Sequence, residues 1–355
     1  MHTNKTYKVA PFLKIEKFKN EENRDEYYLD VHPQNARLKV ENSKLLDCIV
    51  ASPKTFKKSD LPKYWSKILD QEELIEEVWN LLIKIEAIVP TRNYHKLIQG
   101  FTKIEFKIWN KFLNYHLSVR DFPFLDMGIS DSFLVDNEIM KSYDSKEVPP
   151  SAYQDFDTGK GLSLTFIENI FNNNLPLKEG ANIQSLTLLL DVAFGERSRC
   201  EKNLRTDNYL EMEKLLKAVP SGGGRHPSEC FVVNNNMDGL ATGLFHYNTR
   251  GHHLSYLGSA DQLISILGHQ TNFSLIVAPV LERAMWRYRE PRSYRAVLVD
   301  IGHIVGSLNS IGDFCGLNCN LRTDINCKQV TMEMNLNPNT QPTMAILSFN
   351  ERKQI

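Results

Sequence analysis

A ten-residue stretch combines bare backbone with a hydroxyl and a guanidinium. Pro220-Ser-Gly-Gly-Gly-Arg-His-Pro-Ser-Glu229 contains Ser221, the triplet Gly222, Gly223 and Gly224, and Arg225. Glycines expose amides and carbonyls against which a flat ligand can lie, and they reach dihedral angles that other residues avoid. The prolines on either side fix φ and limit the freedom of the loop. The stretch is therefore either a surface turn or a rigid loop that binds an aromatic cofactor.

Two pairs of residues further along the chain could serve the same ligand. The first pair is Arg287 and Tyr288, and the second is Tyr294 and Arg295. A guanidinium stays protonated and cannot act as a base, whereas Tyr288 could accept a proton because a neighbouring cation favours the phenolate. A phosphate needs cationic partners, for which Arg225 and Arg295 are candidates. The alternative for the tyrosines is a place in the hydrophobic core, and the alternative for the arginines is a solvated position on the surface.

The segment from residue 161 to 355 has the pattern of one α+β domain. Apolar runs bounded by turn residues predict buried strands, and longer apolar stretches predict helices. Glycine after an apolar stretch indicates a helix end. The predictions are a helix over Ile183–Phe194 ending at Gly195, a charged loop over Glu196–Asn208, strands over Cys230–Val233, Gly243–Asn248, His253–Leu257 and Phe273–Pro279, and a helix over Tyr294–Leu308 with Val297, Val299, Ile304 and Leu308 in the core.

Residues 1–92 predict a separate small domain, and residues 93–160 predict a connecting helical segment. Leu74, Val78, Leu81, Leu82 and Ile85 recur at helical spacing in the 71–88 segment. Three short helices and a β element of this size indicate a winged-helix-like module. The long helix is acidic, so it favours binding of a peptide or a partner subunit over DNA. Its acidic residues are Glu72, Glu73, Glu76 and Glu77.

Composition excludes several classes of function. The chain has 355 residues, 42% of them hydrophobic and 24% charged, with a formal net charge of −1, so bulk electrostatics favours neither nucleic acid nor membrane as a partner. No apolar run approaches the length of a membrane span, and the N-terminus does not have the pattern of a secretory signal.

Six scattered cysteines suit the reducing cytoplasm. Cys315, Cys319 and Cys327 lack the spacing of a zinc site, so we expect no metal.

The order of motifs resembles that of a known family. The glycine loop is followed by the strand Gly243-Leu-Phe-His-Tyr-Asn248, by Arg287-Tyr288, and by Tyr294-Arg-Ala-Val-Leu-Val-Asp-Ile-Gly-His303. This order is similar to that of the nitroreductase-like flavin dehydrogenases of the streptolysin and microcin B17 type, which oxidise azoline rings in ribosomally made peptides. The resemblance covers about residues 94 to 350.

The resemblance implies a fold, a cofactor and partners. It implies a nitroreductase-like α+β domain, with a central antiparallel sheet flanked by helices, after a peptide-binding winged helix. It implies FMN, held by Ser221 to Arg225, Tyr294 and Arg295, and the oxidation of thiazoline or oxazoline to thiazole or oxazole with Tyr288 and Arg287 at the catalytic position. The implied partners are a precursor peptide, a cyclodehydratase complex and a second copy of the chain.

Two other functions stay open. The family's phosphate-binding arginine string corresponds to Asn172–Lys178, its catalytic lysine to Arg287, and its Gln-Asn pair to Gly306-Ser307. These replacements suit a flavin-poor scaffold or partner subunit of a modifying complex. The third possibility is a nitro- or quinone-reductase that uses NAD(P)H, since such enzymes bind nicotinamide over the flavin without a dinucleotide fingerprint.

Overall fold

The chain folds into two compact units, Met1–Phe124 and Leu125–Ile355. The division falls inside the 93–160 segment that the sequence predicts to be a connection. The computed structural model describes residues 5–11, 13–20, 22–31, 36–69, 71–98, 115–116, 119, 132–156, 158–165, 178–200 and 214–352. Within those ranges, no helix is long and apolar enough to cross a bilayer.

The first unit is a small α+β fold. Strands β2, β3 and β4 form an antiparallel meander, and β1 pairs antiparallel with β5. The sequence expectation of a winged-helix-like module remains a prediction. The elements are β1 (Tyr7–Val9), β2 (Leu13–Lys19), β3 (Asp25–Val31), β4 (Ala36–Val40), α1 (Lys44–Ala51), a 3₁₀ turn (Lys58–Asp60), α2 (Leu61–Trp65), α3 (Glu72–Lys84), β5 (Ile88–Pro90) and α4 (Thr91–Ile98).

Helix α3 packs by a stripe that matches the predicted one only in part, since Leu82 is buried as expected. Ile75, Trp79 and Leu82 are its buried residues, at the i, i+4, i+7 spacing of one helix face. Leu74 and Leu81, which the periodicity places inside, are 37% and 41% exposed. Trp79 has the largest apolar surface in the helix, and turning it inward rotates the two leucines outward.

The second unit is built around one seven-stranded antiparallel sheet. Its strand order is β13-β14-β12-β9-β10-β11-β6, and β7 and β8 form a separate ladder. Its elements are α5 (Ser132–Asp144), β6 (Gly161–Ser163), α6 (Ile183–Phe194), β7 (Glu196–Cys200), β8 (Lys214–Lys217), a 3₁₀ turn (Gly222–Gly224), β9 (Ser228–Asn234), β10 (Gly243–Asn248), β11 (His253–Gly258), α7 (Asp261–Leu267), β12 (Phe273–Pro279), α8 (Leu281–Tyr288), α9 (Ser293–Phe314), β13 (Leu317–Leu321), α10 (Cys327–Glu333) and β14 (Ala345–Glu351).

Helices cover both faces of the central sheet. Cys230 and Val232 of β9 belong to the core shared with α6 and α9, while Phe231 and Val233 belong to the core shared with α7 and α10. This alternation follows from the period of two in a strand, and burial on both faces explains the continuous apolar run in the sequence. The predicted α+β class, with a central antiparallel sheet flanked by helices, is confirmed.

Two local predictions need correction, and a third, the helix end at Gly195, is confirmed for a different physical reason. Glu196–Asn208 is not all loop, because Glu196–Cys200 forms β7, which pairs with β8. Gly195 does end α6, but its φ is −64°, and glycine is needed there because a Cβ would lie 2.3 Å from the Asp191 carbonyl oxygen. Val299 of α9 is 58% exposed, not buried.

The cysteine cluster contains ordinary thiols. Cys315 is buried and Cys319 and Cys327 are half-buried, and burial raises the pKa of all three, that of Cys319 to about 12. Neutral thiols are poor metal ligands. In the part of the chain that the structure describes, no three His, Cys, Asp or Glu side chains are grouped so as to hold a metal ion.

Candidate functional site

The glycine triplet forms a tight 3₁₀ turn just before β9. Gly223 (φ +60°) and Gly224 (φ +64°) both adopt the left-handed conformation, which a residue with a Cβ reaches only at an energetic cost. The Gly224 amide donates to the Ser221 carbonyl at 3.0 Å. The backbone therefore requires glycine here, and the loop is a compact turn rather than an extended ribbon.

A carboxylate from α9 fixes the glycine turn. Ser221 Oγ donates to Asp300 Oδ2 at 2.6 Å, and the Gly222 amide donates to Asp300 Oδ1 at 3.0 Å. Ser221 Oγ also accepts the His226 amide at 2.9 Å, which ties the end of the turn to its start. Burial raises the pKa of Asp300, while the hydrogen bonds from Ser221 and Gly222 oppose that rise. Asp300 thus joins the loop to a long helix.

The Tyr288 hydroxyl lies directly against Gly223. A Cβ built on Gly223 would be 2.1 Å from Tyr288 Oη and 3.8 Å from Arg225 Nε. A Cβ on Gly222 would be 3.3 Å from Ala296 Cβ in the first turns of α9. The end of α8 and the beginning of α9 therefore both meet the glycine turn, and three sequence-predicted residues, Tyr288, Gly223 and Arg225, come together.

Arg287 points to a different partner. Its guanidinium donates to both carboxylate oxygens of Asp136 in α5 at 2.7 Å, and its Cζ lies 5.2 Å from the centroid of the Tyr288 ring. Its charge is largely compensated by the carboxylate. Arg287 therefore serves to dock α5 against α8, in addition to lying close to the tyrosine.

The remaining predicted residues differ in exposure. Arg225 is 4% exposed and Tyr294 is 41% exposed, and Arg295 is exposed in the first turn of α9. Arg225 thus lies at the turn itself, whereas Arg295 faces solvent beside it. The arginine-string counterpart, residues 172–178, lies outside the described residues except for Lys178, whose ammonium is 3.7 Å from Asp238.

A buried charge network stands behind the turn. Glu229, on the central strand β9, accepts from the Arg283 guanidinium and contacts His246 Nε2 at 2.9 Å. Arg283 also donates to the Ser151 carbonyl at 2.8 Å. Burial alone would raise the pKa of Glu229, but Arg283 and His246 outweigh it and hold the pKa at about 2. The carboxylate is therefore ionised and fully partnered, as a buried charge must be.

Sequence reasoning missed the residues that hold the loop in place. Each left a signal, a polar residue on an otherwise apolar face. Asp300 lies among Val297, Ile301 and Ile304 on the buried side of α9. Glu229 and His246 stand within fully buried strands. Such residues are rare in a core unless they are partnered, but the sequence does not reveal the partner.

Comparison with curated proteins finds relatives in toxin processing. The chain is 34% identical over 197 residues to TfxB, a trifolitoxin-processing protein of Rhizobium leguminosarum bv. trifolii. The match covers 48% of this chain and 51% of TfxB. The chain is a sequence relative of TfxB. It is also 32% identical over 97 residues to the trifolitoxin-processing protein TfxF of the same organism, which covers 27% of this chain and 33% of TfxF. The chain thus spans about half of TfxB and a third of TfxF. No protein-family model matches it.

Two solved structures give more distant likenesses. A nitroreductase-type protein of Anabaena variabilis has a TM-score of 0.47 and 23% identity, over 60% of this chain and 46% of that one. A chain of the E. coli microcin synthetase McbBCD complex with truncated pro-MccB17 has a TM-score of 0.41 and 16% identity, over 73% of this chain and 98% of that one. The relationship to TfxB connects this chain with a toxin-processing protein, and the antiparallel α+β architecture agrees with the fold that the resemblance implies.

Proposed function

We propose that this protein is an FMN-dependent dehydrogenase that oxidises thiazoline or oxazoline rings to thiazole or oxazole in a ribosomally made peptide. The observation that carries the proposal is the contact between Tyr288 Oη and the Gly223 backbone, at a turn fixed by Asp300. A proton acceptor and a bare backbone surface are thereby held side by side. The similarity to a trifolitoxin-processing protein supports a peptide as the substrate.

The residues at the turn fit a flavin. Gly223 is exposed, and among the described residues its amide has no hydrogen-bond partner, so it offers a donor to a ring edge. The space next to the Gly224 Cα is open, with no atom within 4 Å of a Cβ position. Arg225 and Arg295 would supply positive charge for the phosphate. Bound FMN would accept the hydride that leaves the azoline ring.

Tyr288 would take the proton that leaves with the hydride. A general base contributes about 10²–10⁴-fold in rate, and the Tyr288 hydroxyl lies against Gly223 of the glycine turn. Arg287 stays protonated, and its role would be to hold α8 through Asp136 and to keep a cation 5.2 Å from the tyrosine ring.

The partners follow from the same proposal. The peptide would be delivered after a cyclodehydratase has formed the azoline, and the catalytic unit would act as a homodimer. The N-terminal unit would hold the peptide, because β2 and β4 are the outer strands of its described meander and an outer strand can pair with an extended chain. The cytoplasm, where thiols stay reduced, suits the free cysteines.

A specific observation favours the scaffold function as the second candidate. Arg287 occupies the family's lysine position and is committed to a bidentate ion pair with Asp136, so it cannot exchange a proton with a substrate. A scaffold subunit would bind the peptide or the cyclodehydratase and show no flavin spectrum.

The absorbance spectrum after reconstitution with FMN separates these two functions. The dehydrogenase binds FMN stoichiometrically and consumes oxygen when given an azoline peptide, and a colourless protein contradicts it.

The role of Tyr288 is tested by Tyr288→Phe, with Tyr143→Phe as the control. Tyr143 packs on the same helix, 6.2 Å from the Trp286 ring centroid. We expect Tyr288→Phe to retain FMN and lose about 10²–10⁴-fold in turnover, while Tyr143→Phe stays close to wild type. Equal turnover in the two variants would show that Tyr288 is not the base.

A further inference from the structure

A lysine stands behind the glycine turn, where no sequence motif indicates a role for it. Lys217 is the last residue of β8, is half-buried, and lines a small pocket with Phe194, Ser221, His226, Ser228 and Asp300. Ser221 and Asp300 are the residues that fix the turn. The Lys217 side chain therefore shares a pocket with the anchor of the candidate site.

The ammonium of Lys217 forms no ion pair with a carboxylate within the described ranges. Asp300 accepts from Ser221 and Gly222, and Glu229 accepts from Arg283 and contacts His246. No hydrogen bond or ion pair of Lys217 is found among the residues that the structure describes. Ser228 Oγ, which lines the same pocket at 5% exposure, likewise has no hydrogen-bond partner there. The pocket thus offers a cation and a hydroxyl that a ligand or a water could engage.

The surroundings of Lys217 set its charge. Burial and, less strongly, Arg283 together lower the pKa of Lys217 to about 8, against the raising effect of Glu229, Glu196 and Cys230. His226, which faces the same pocket, has its pKa lowered to about 3 by burial, Lys217 and Arg283, so it stays neutral. Asp300 is the other titratable group that lines the pocket. Lys217 is thus mostly protonated at neutral pH and mostly neutral in mildly alkaline solution.

We propose that Lys217 makes the glycine turn selective for negatively charged ligands, by placing an ammonium that has no ion-pair partner among the described residues in the pocket lined by Ser221 and Asp300. The inference rests on the proposed function, under which the ligand is FMN. Lys217 acts as a positioning residue through the electrostatic field at the turn. A unit charge a few ångströms from an anion in a partly solvated site changes affinity by about ten-fold or more.

The test measures flavin affinity by quenching of flavin fluorescence. The proteins are full-length wild type, Lys217→Met, Lys217→Arg and the control Lys328→Met, whose lysine is exposed on α10. Each is titrated with FMN and with riboflavin near pH 7 and near pH 9, and thermal melting verifies that each is folded. We expect Lys217→Met to bind FMN about ten-fold more weakly near pH 7, and Lys217→Arg and Lys328→Met to bind like wild type.

The titrations near pH 9 test the charge of Lys217 without a substitution, because alkaline solution removes the proton. Wild-type affinity should fall between pH 7 and pH 9 as Lys217 loses its proton, whereas Lys217→Arg should stay flat because a guanidinium keeps its proton. Weaker binding of FMN but not of riboflavin, which lacks the phosphate, supports the inference, and equal weakening of both flavins contradicts a selectivity for negative charge. FMN bound equally by wild type and Lys217→Met, with parallel pH profiles, overturns the inference and leaves the proposed function intact. A wild type that takes up no FMN overturns both.

Discussion

At the scale of single residues, the contact between Gly223 and Tyr288 is the most constrained feature of the candidate site. The hydroxyl occupies the place that a Cβ would take, at 2.1 Å. Gly224 has almost the same φ, +64° against +60°, but nothing lies within 4 Å of its Cβ position. The two glycines therefore separate the effect of backbone strain from the effect of the clash.

Gly223→Ala and Gly224→Ala form a matched pair. Both variants should lose about 1 kcal/mol of unfolding free energy to left-handed strain, measured by chemical denaturation. Only Gly223→Ala should also displace Tyr288, and we expect it to weaken FMN binding at least ten-fold more than Gly224→Ala does.

Removing the hydroxyl should rescue the alanine variant. In the double variant Gly223→Ala with Tyr288→Phe, the nearest ring atom to the new Cβ is Cζ, at 3.2 Å rather than 2.1 Å. FMN affinity should recover part of its loss, although turnover should not. A double variant that binds FMN as weakly as Gly223→Ala would argue against this contact.

At the scale of elements, the site depends on how α9 meets the loop before β9. Asp300 connects the helix to the loop, because its carboxylate accepts hydrogen bonds from the Ser221 hydroxyl and the Gly222 amide. The sequence predicts a helix over Tyr294–Leu308 and a strand from Cys230, and both exist as α9 and β9. Their joining was not predicted, because the carboxylate lies 79 residues from its serine partner.

Asp300→Ala should loosen the loop without disturbing the sheet. Loss of the acceptor leaves a half-buried hydroxyl and an amide unsatisfied, which costs about 1–3 kcal/mol. We expect a lower melting temperature and weaker FMN binding, whereas Asp313→Asn, on an exposed part of the same helix, should change neither. If Asp300→Ala matches Asp313→Asn in both measurements, Asp300 does not anchor the turn.

At the scale of the whole molecule, the buried groups behind the turn link stability to pH. The pKa of His226 is lowered from 6.5 to about 3 in the fold, so the unfolded chain binds a proton between these values and the folded chain does not. The stability that comes from the neutral imidazole is therefore complete above about pH 6.5 and is lost as the pH falls towards 3. Glu229 adds to this loss only below its ordinary pKa of 4.5.

His226→Asn should reduce the acid sensitivity of the protein. His226 has a φ of +42°, which asparagine tolerates. Between pH 7 and pH 5, the unfolding free energy of wild type should fall by about 1–2 kcal/mol more than that of the variant, as measured by urea denaturation at each pH. Parallel pH profiles would show that His226 does not carry the effect.

What the sequence by itself determined is local. Left-handed turns demand glycine at 223 and 224, and periodicity and apolar runs located α6, β9, β12 and the start of α9 to within a few residues, because these signals depend on neighbours in the chain. The end of α9 lies six residues beyond the predicted one. The order of the motifs also indicated the family.

Tertiary structure alone decided which partners the polar residues take. Ser221 meets Asp300, Arg287 meets Asp136 and Glu229 meets Arg283 across separations of 79, 151 and 54 residues. β7 likewise depends on a partner strand that follows it in the chain. The physical reason is that a buried charge or strand edge must find its complement wherever packing places one, and nothing in the local sequence specifies that place.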